Sequence, residues 1–478
     1  MRYSERRRLR SRGKERTRGR ENGGPARKIV TFLPRLPHRP TYFESVMADI
    51  RAFRGIRYDL GRAGTLSDLV APPYDVIDAS LQQALYERSP YNAIRLELAR
   101  TELGDTATNN HYGRAAQALS GWQNEHVLQQ DSLRNLYVLE QEFTVEGTTF
   151  KRRGFIARVR LEPFGTGRIF PHEETMAGPK EDRLKLTRAT NMNLSPIFGL
   201  YPDAANDIFG RIEPLLMKTL PLEATDHLGV VSRVWPLADE KALGSVVSGM
   251  ADKPVFIADG HHRYETGLRY LDEARANGAV TNDESPANFI MMMLVSMADP
   301  GLVILPTHRL IRGFPGLTAD RLDAVLSPHF IMERVASGRD AWEAVEMEGS
   351  QTMLAFHTHA DGVWQTARFT DPKLMAGLAP DHSASWRELA VSVLQVAVLN
   401  HLLPAAVGGT AACSYVHLLR EVEDAVTAGG CDLAALVPPA TMGHVEGIAG
   451  GREKMPPKST YFYPKLLTGL VFNSLKTN

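Results

Sequence analysis

Pro254-Val255-Phe256-Ile257-Ala258-Asp259-Gly260-His261-His262-Arg263-Tyr264-Glu265-Thr266-Gly267-Leu268 reads as a buried strand, a tight turn and the start of a helix. Residues 255–258 are an apolar run of strand length. Gly260 supplies a turn that a Cβ would hinder. A helical pattern runs from Tyr264 through Leu268, Tyr270, Leu271 and Ala274 until Asn277-Gly278 ends it. Asp259, His261, His262 and Arg263 therefore crowd the junction of strand and helix. The free N–H groups and positive end of the helix attract an anion such as phosphate there, and lower the pKa of a nearby imidazole. Arg263 can hold a phosphate through two parallel bonds. Asp-Gly turns are also common, and Asp can cap a helix while histidines beside it stay idle in water. Four polar, mostly ionisable side chains packed between an apolar strand and a helix favour the functional reading.

Outward from this stretch, 289–297 is a continuous buried strand that Asp299-Pro300-Gly301 turns back into 302–305, followed by Pro306-Thr307-His308-Arg309. Three strands around residues 255, 293 and 304 with one helix are expected to form a compact α+β core, about 250–312. His308 and Arg309 would join the same rim. Met291, Met292 and Met293 suit packing better than ligation. Upstream, 136–145 and 149–161 form a hairpin joined by Glu146-Gly147. A second polar concentration follows: His172, Glu173, Asp182 and Arg183 can supply a base or a metal ligand, or simply a solvated helix face. Residues 93–98 alternate and read as a strand with Arg95 and Glu97 on one face. Asp78 or Ser80 caps a helix to about Arg88, and 205–219 read as one helix.

Downstream lies a C-terminal lobe, about 316–478. It holds a hairpin at 352–358 and 363–369, with His357 and His359 as surface histidines lacking a third ligand, and a core helix at 384–403 ended by Pro404. The tail from Lys454 to Leu470 is aromatic and stiffened by proline, so it packs on the body. Its Lys458, Ser459, Thr460 and Lys465 suit a phosphate-bearing ligand or, equally, a solvated docking strand.

The 478 residues have room for two or three domains or one large two-lobed one. Hydrophobic content of 43% and charged content of 23% are ordinary for a globular chain. Two cysteines, Cys413 and Cys431, have no metal or redox spacing, which points to a reducing, cytoplasmic compartment. The formal net charge is zero, yet residues 1–28 hold ten Arg and two Lys against three Glu, a net of +9, so the rest carries −9. Residues 1–46 are expected to be a basic disordered arm or an untranslated leader, with 47–478 as the folded body and Met47 as a natural start. Nucleic acid could be met only through that arm. No run reaches the roughly 20 apolar residues of a membrane span. Nothing in the sequence specifies an oligomeric state.

Asp-Gly-His-His-Arg-Tyr-Glu-Thr at 259–266, Ala-Pro-Pro-Tyr-Asp-Val-Ile at 71–77, Pro-His-Glu-Glu-Thr at 171–175, Pro-Thr-His-Arg at 306–309 and Pro-Pro-Lys-Ser-Thr-Tyr-Phe-Tyr-Pro-Lys at 456–465 together resemble the domain-of-unknown-function family ten-fifteen. The Asp-Gly-His-His-Arg block is also similar to an element of the ParB/sulfiredoxin-like superfamily, which includes free-serine kinases. That resemblance implies a ParB/sulfiredoxin-like strand-turn-helix core with mixed sheets and flanking helical regions. It carries over Asp259 and His262 as residues that handle the phosphoryl group and substrate, with Arg263 as a phosphate ligand. An upstream acidic base is also required, for which Glu173 and Glu97 are candidates. No Walker loop or kinase signature set is present.

The expected activity is transfer of a phosphoryl group to a small hydroxylated metabolite, free serine first. The donor would be ATP, ADP or pyrophosphate with Mg²⁺. Asp259, His262 and Glu173 are the catalytic candidates. His261, Arg263, His172, Arg183, His308, Arg309, Lys458, Ser459 and Thr460 are candidates for holding substrate or phosphate. Two alternatives stand beside it: a non-catalytic nucleotide-binding or regulatory protein, and a metal-dependent hydrolase using His172, His261 and His262.

Overall fold

The computed structural model describes residues 48–175 and 177–476. The expectations for residues 1–46 and for a start at Met47 lie outside the described residues. The architecture is mixed α and β with several sheets. The larger sheet has nine strands: Ile50–Arg51 (β1), Leu136–Val145 (β2), Thr148–Arg160 (β3), Ile169–Pro171 (β4), Ile197–Tyr201 (β5), Leu222–Thr225 (β6), Val231–Leu237 (β7), Val255–Asp259 (β8) and Phe289–Ser296 (β9). Their order is β4-β8-β5-β9-β3-β2-β7-β6, with β1 paired to β3. All eight residues of β9 are buried, because both faces of the sheet are covered. Met291, Met293 and Val295 enter one apolar core and Met292 and Leu294 the other, as a period of two requires.

The β2–β3 hairpin forms where its alternation and Glu146-Gly147 place it. Both turn residues take positive φ, 46° and 80°, the two-residue turn whose twist matches the strands. Further along β3, Gly154 lies against β9 so closely that a Cβ would strike the backbone carbonyl oxygen of Leu294 and come within 2.7 Å of Val295 Cγ2. Gly154→Ala is therefore expected to destabilise the protein by about 3 kcal/mol in urea unfolding, since backbone cannot step aside.

The three-strand core expected around residues 255, 293 and 304 does not form. β5 lies between β8 and β9, antiparallel to the first and parallel to the second. Val303–Leu305 (β10) leaves this sheet altogether. An apolar run specifies a strand but not its neighbour. The second sheet has six strands: His308–Arg312 (β11), Phe330–Val335 (β12), Met353–Thr358 (β13), Val363–Phe369 (β14), Ala412–Val416 (β15) and Leu433–Leu436 (β16), in the order β12-β14-β13-β16-β11-β15. Tyr461–Tyr463 (β17) then returns to pair with β10, so the tail packs on the body.

The helices that matter for the site are Ala79–Arg88 (α1), His111–Asn124 (α2), Ala177–Thr190 (α3) and His261–Ala276 (α4). Asp78 caps α1 through Leu81 N, 2.8 Å. Elsewhere the local pattern misleads. Residues 93–98 hold a helical turn, Ile94–Glu97, not a strand: Asn92 Oδ1 accepts from Ile94 N while Asn92 Nδ2 donates to the carbonyls of Asp68 and Val70. The single helix expected at 205–219 is two turns, Asp207–Gly210 and Glu213–Leu216, the second begun by Pro214. Pro404 does not end its helix. It sits in the first turn of Leu403–Val407, after a π-helical stretch, Val393–Leu402, whose wider turns relieve the clash with its ring. This Ala390–Val407 stretch, with a mean hydropathy of 1.7, is by length and composition apolar enough for a membrane span, and half of it is buried inside the protein. His357 is buried rather than at the surface, covered by its cross-strand partner Trp364 with ring centroids 4.7 Å apart.

Candidate functional site

β8 delivers Asp259 to the edge of a cleft of about 440 Å³, and α4 starts immediately beyond. The helix begins at His261, three residues before the periodicity of its apolar positions does. Gly260 makes this sharp start possible. Its φ is +93°, and a Cβ there would come within 3.0 Å of the Arg263 guanidinium. As the N-cap residue, Gly260 has no side chain to accept from the first-turn N–H groups, so that end of α4 opens on the cleft without a side-chain cap. The other walls come from far along the chain: Tyr74 to Val76, Glu173 and Glu174, Thr307, Ser414, Tyr415 and His417, and Lys458, Thr460, Tyr461 and Lys465 of the tail.

Asp259 is the electrostatic centre. Its Oδ1 accepts from Lys465 Nζ at 2.5 Å and its Oδ2 from Arg263 Nη2 at 2.7 Å. Burial alone would push this carboxyl up; Lys465 and Arg263 outweigh it and hold the pKa far below the ordinary value. Burial likewise opposes the charge on Lys465, and Asp259 outweighs it, so the ammonium titrates above its ordinary range. The fold sets this pair from behind. Fully buried Arg152 donates to the carbonyls of Tyr463 and Pro464, and Phe462 packs edge-on to Phe198, which fixes the tail just before Lys465. Arg263 is committed as well: Nη1 donates to Pro196 O at 2.6 Å and to Ser195 Oγ at 3.1 Å. Its fork is a brace for Asp259, not the open two-toothed phosphate ligand expected from the sequence.

Glu173 faces the same cleft and is half-buried; loss of hydration raises its pKa, against the pull of the Lys458 backbone N–H that it accepts at 3.0 Å. Lys458 itself sits in the left-handed region, φ 59°, and its ammonium makes no ion pair among the described residues. His261 and His262 line the cleft and are both kept neutral, chiefly by burial. Behind them His172 is fully buried and its pKa falls to about 4 through burial. Its Nδ1 lies 2.6 Å from Ile257 O, which can only accept, so Nδ1 carries the proton. Nε2 must then accept from Thr460 Oγ1, 2.8 Å away. Thr460 thereby spends its proton inward and presents lone pairs to the cleft. His172 N in turn donates to His261 Nε2 at 3.3 Å. With both ring nitrogens of His172 engaged, the three-histidine metal site has no geometry to stand on.

The structure thus brings Asp259, His261, His262, Arg263, Glu173, Lys458 and Thr460 to one cleft and puts the other candidates elsewhere. Arg183 pairs with Asp182, donates to Glu97 O at 2.8 Å and stacks over Tyr74 at 4.2 Å; it supports a wall of the cleft without lining it. Glu97 is buried against Arg183 and is no cleft base. Arg309 is buried, donates to Thr307 O and to Lys458 O at 3.0 Å, and holds the Lys458 turn in place. Burial lowers its pKa to about 10. Ser459 is buried and donates to Pro456 O. His308 faces a different cavity; Nδ1 accepts from Val437 N, and Nε2 is buried without a hydrogen-bond partner among the described residues. Sequence reading missed Tyr74, Asp75, Tyr415, His417 and Tyr461 as cleft residues. Tyr74, Asp75 and Tyr461 lie inside quoted motif blocks, which was the available signal; Tyr415 and His417 had none.

The chain belongs to the family described as "Protein of unknown function (DUF1015)", whose model matches residues 50–392. No curated protein matches it. Among solved structures, a conserved hypothetical protein from Pyrococcus furiosus is 12% identical with a TM-score of 0.31, over 63% of this chain and 90% of that one. A free serine kinase in complex with AMP is 12% identical with a TM-score of 0.31, over 63% of this chain and 88% of the kinase. SbnI with a C-terminal truncation, from Staphylococcus aureus, is 11% identical with a TM-score of 0.31, over 66% and 86%. At these scores the likenesses carry no argument about activity.

Proposed function

We propose that this protein is a small-molecule phosphotransferase built on a ParB/sulfiredoxin-like core, acting on the hydroxyl of a small metabolite, with free serine the first substrate to try. The carrying observation is the convergence, in one cleft, of a helix N-terminus without a side-chain cap, the Lys458 ammonium, which makes no ion pair among the described residues, and a carboxylate with a raised pKa, Glu173. The first two suit the phosphates of ATP, ADP or pyrophosphate. The third is a base: Glu173 takes the hydroxyl proton as that oxygen attacks the terminal phosphorus, and the bond from phosphorus to the bridging oxygen breaks. Asp259 is a weaker base than Glu173, because both its oxygens are bound by cations. Its role, with Arg263 bracing it, is to hold Lys465 at the rim, where the ammonium's positive charge meets the transferring group. Neutral His262 supplies a hydrogen-bonding group to the substrate side, as the resemblance of the Asp-Gly-His-His-Arg block implies.

Among the described residues no group of three or more His, Cys, Asp or Glu is arranged to hold a metal. Mg²⁺ in such sites is carried largely by the donor's phosphates with one or two carboxylates. Asp75 and Glu174 line the cleft without ion pairs among the described residues, and their oxygens suit that ion. When bound, it would offset phosphate charge.

Phosphorus NMR tests the reading. The full chain is incubated with Mg²⁺, serine or a pool of small hydroxy metabolites, and each donor in turn. A new phosphomonoester signal is expected, absent in Asp259→Asn. Orthophosphate alone would make the protein a hydrolase. Donor binding without turnover would make it a nucleotide-binding protein.

A further inference from the structure

A second cavity, of about 940 Å³, lies on the other side of His417, whose ring helps line both it and the cleft. Its floor is apolar, with Ile304, Leu305, Val345 and Leu389, and Trp342 offers a ring at the wall. Size and lining are those of a small-molecule site. Its charges are of one sign. Glu146, Glu346 and Glu388 stand exposed at its edge, and neither Lys nor Arg lines it. The three lining histidines add no positive charge: burial takes His308 down to about 3 and His417 to about 4, and lowers His444 as well. Burial and then the charge of Glu146 raise the pKa of Glu346, so these two lining carboxylates bear on each other. A cation between them would relieve that repulsion, and an aromatic face beside it would add to the attraction.

We infer that this cavity binds a small organic ammonium ion with an apolar body, the body on the floor beside Trp342 and the charge among Glu146, Glu346 and Glu388. The site is separate from the phosphate cleft and does not depend on the phosphotransfer reading.

Isothermal titration of the full chain with phenethylammonium, phenethyl alcohol and phenylacetate tests this at matched ionic strength. The ammonium should bind one to one, about tenfold tighter than the alcohol, with phenylacetate weakest. Raising the salt should narrow the gap. The double variant Glu146→Gln/Glu346→Gln, at exposed positions that leave Tm unchanged, should remove most of the preference, and Trp342→Leu should weaken all three. Asp259→Asn, which disables the cleft, should leave ammonium binding as it is. The inference is overturned if phenethylammonium does not bind, if it binds no tighter than the alcohol, or if the double variant keeps the full preference.

Discussion

Glu173→Gln is expected to lower kcat about 10²–10⁴-fold while donor binding stays close to that of the unchanged protein. The substitution keeps the shape of the side chain and an oxygen that can still accept the Lys458 N–H, so the turn that presents Lys458 stays where it is. What disappears is the capacity to take a proton. Glu173 titrates above the ordinary glutamate value of 4.5 because burial disfavours its charge. Its basic form is therefore lost as pH falls through that raised value, and the rate of the unchanged protein should fall with it. Residual activity of Glu173→Gln should be flat across the same limb. A pH–rate profile of both proteins, read by phosphomonoester formation, makes the comparison. A loss smaller than about tenfold, or an acid limb that survives the substitution, would remove Glu173 from the role of base.

Lys465→Met is expected to cost about 3 kcal/mol of folding stability, the lower end for breaking a buried ion pair, because Arg263 remains on Asp259. Both partners are nearly enclosed, with side chains 12% and 16% exposed, so solvent does not replace the lost ammonium. The pH dependence has a definite sign. Asp259 has a folded pKa below its ordinary value of 3.8, so its ion pairs stabilise the protein fully above that value and lose their effect as pH falls below it. The stability gap between the unchanged protein and Lys465→Met should therefore be widest near neutral pH and shrink in acid. Removing Asp259 as well, Lys465→Met with Asp259→Leu, should recover none of the loss, since it leaves the nearly enclosed Arg263 guanidinium without its carboxylate. Urea unfolding across pH reads all three. Equal stabilities of Lys465→Met and the unchanged protein at neutral pH would mean that Arg263 alone satisfies Asp259.

Local features of the site were legible before any fold was known. Gly260, with four ionisable neighbours between a strand and a helix, marked the junction that faces the cleft. The tail's lysines were recognisable as phosphate-suited cations, and Glu173 as a candidate base. Other features were not legible. His172 and Glu173 are adjacent, yet one is a buried brace for Thr460 and the other a cleft carboxylate. His308 and Arg309 looked like rim residues and instead line another cavity and brace a turn. A strand's alternation says that neighbours face opposite ways; it does not say which way the cleft lies.

The division follows from the range of the interactions. Periodicity, turn chemistry and burial act within a few residues, so the amino-acid order alone determined the β2–β3 hairpin, the all-buried β9, the turn at Gly260 and helix α4. Sheet neighbours and ion pairs join segments far apart, whose meeting costs a loop entropy that grows only slowly with separation and so selects weakly among partners. Packing makes that choice: β5 between β8 and β9, β17 against β10, and Lys465 on Asp259 across 206 positions of chain. Only the tertiary structure could therefore decide which of the many charged residues share one cleft.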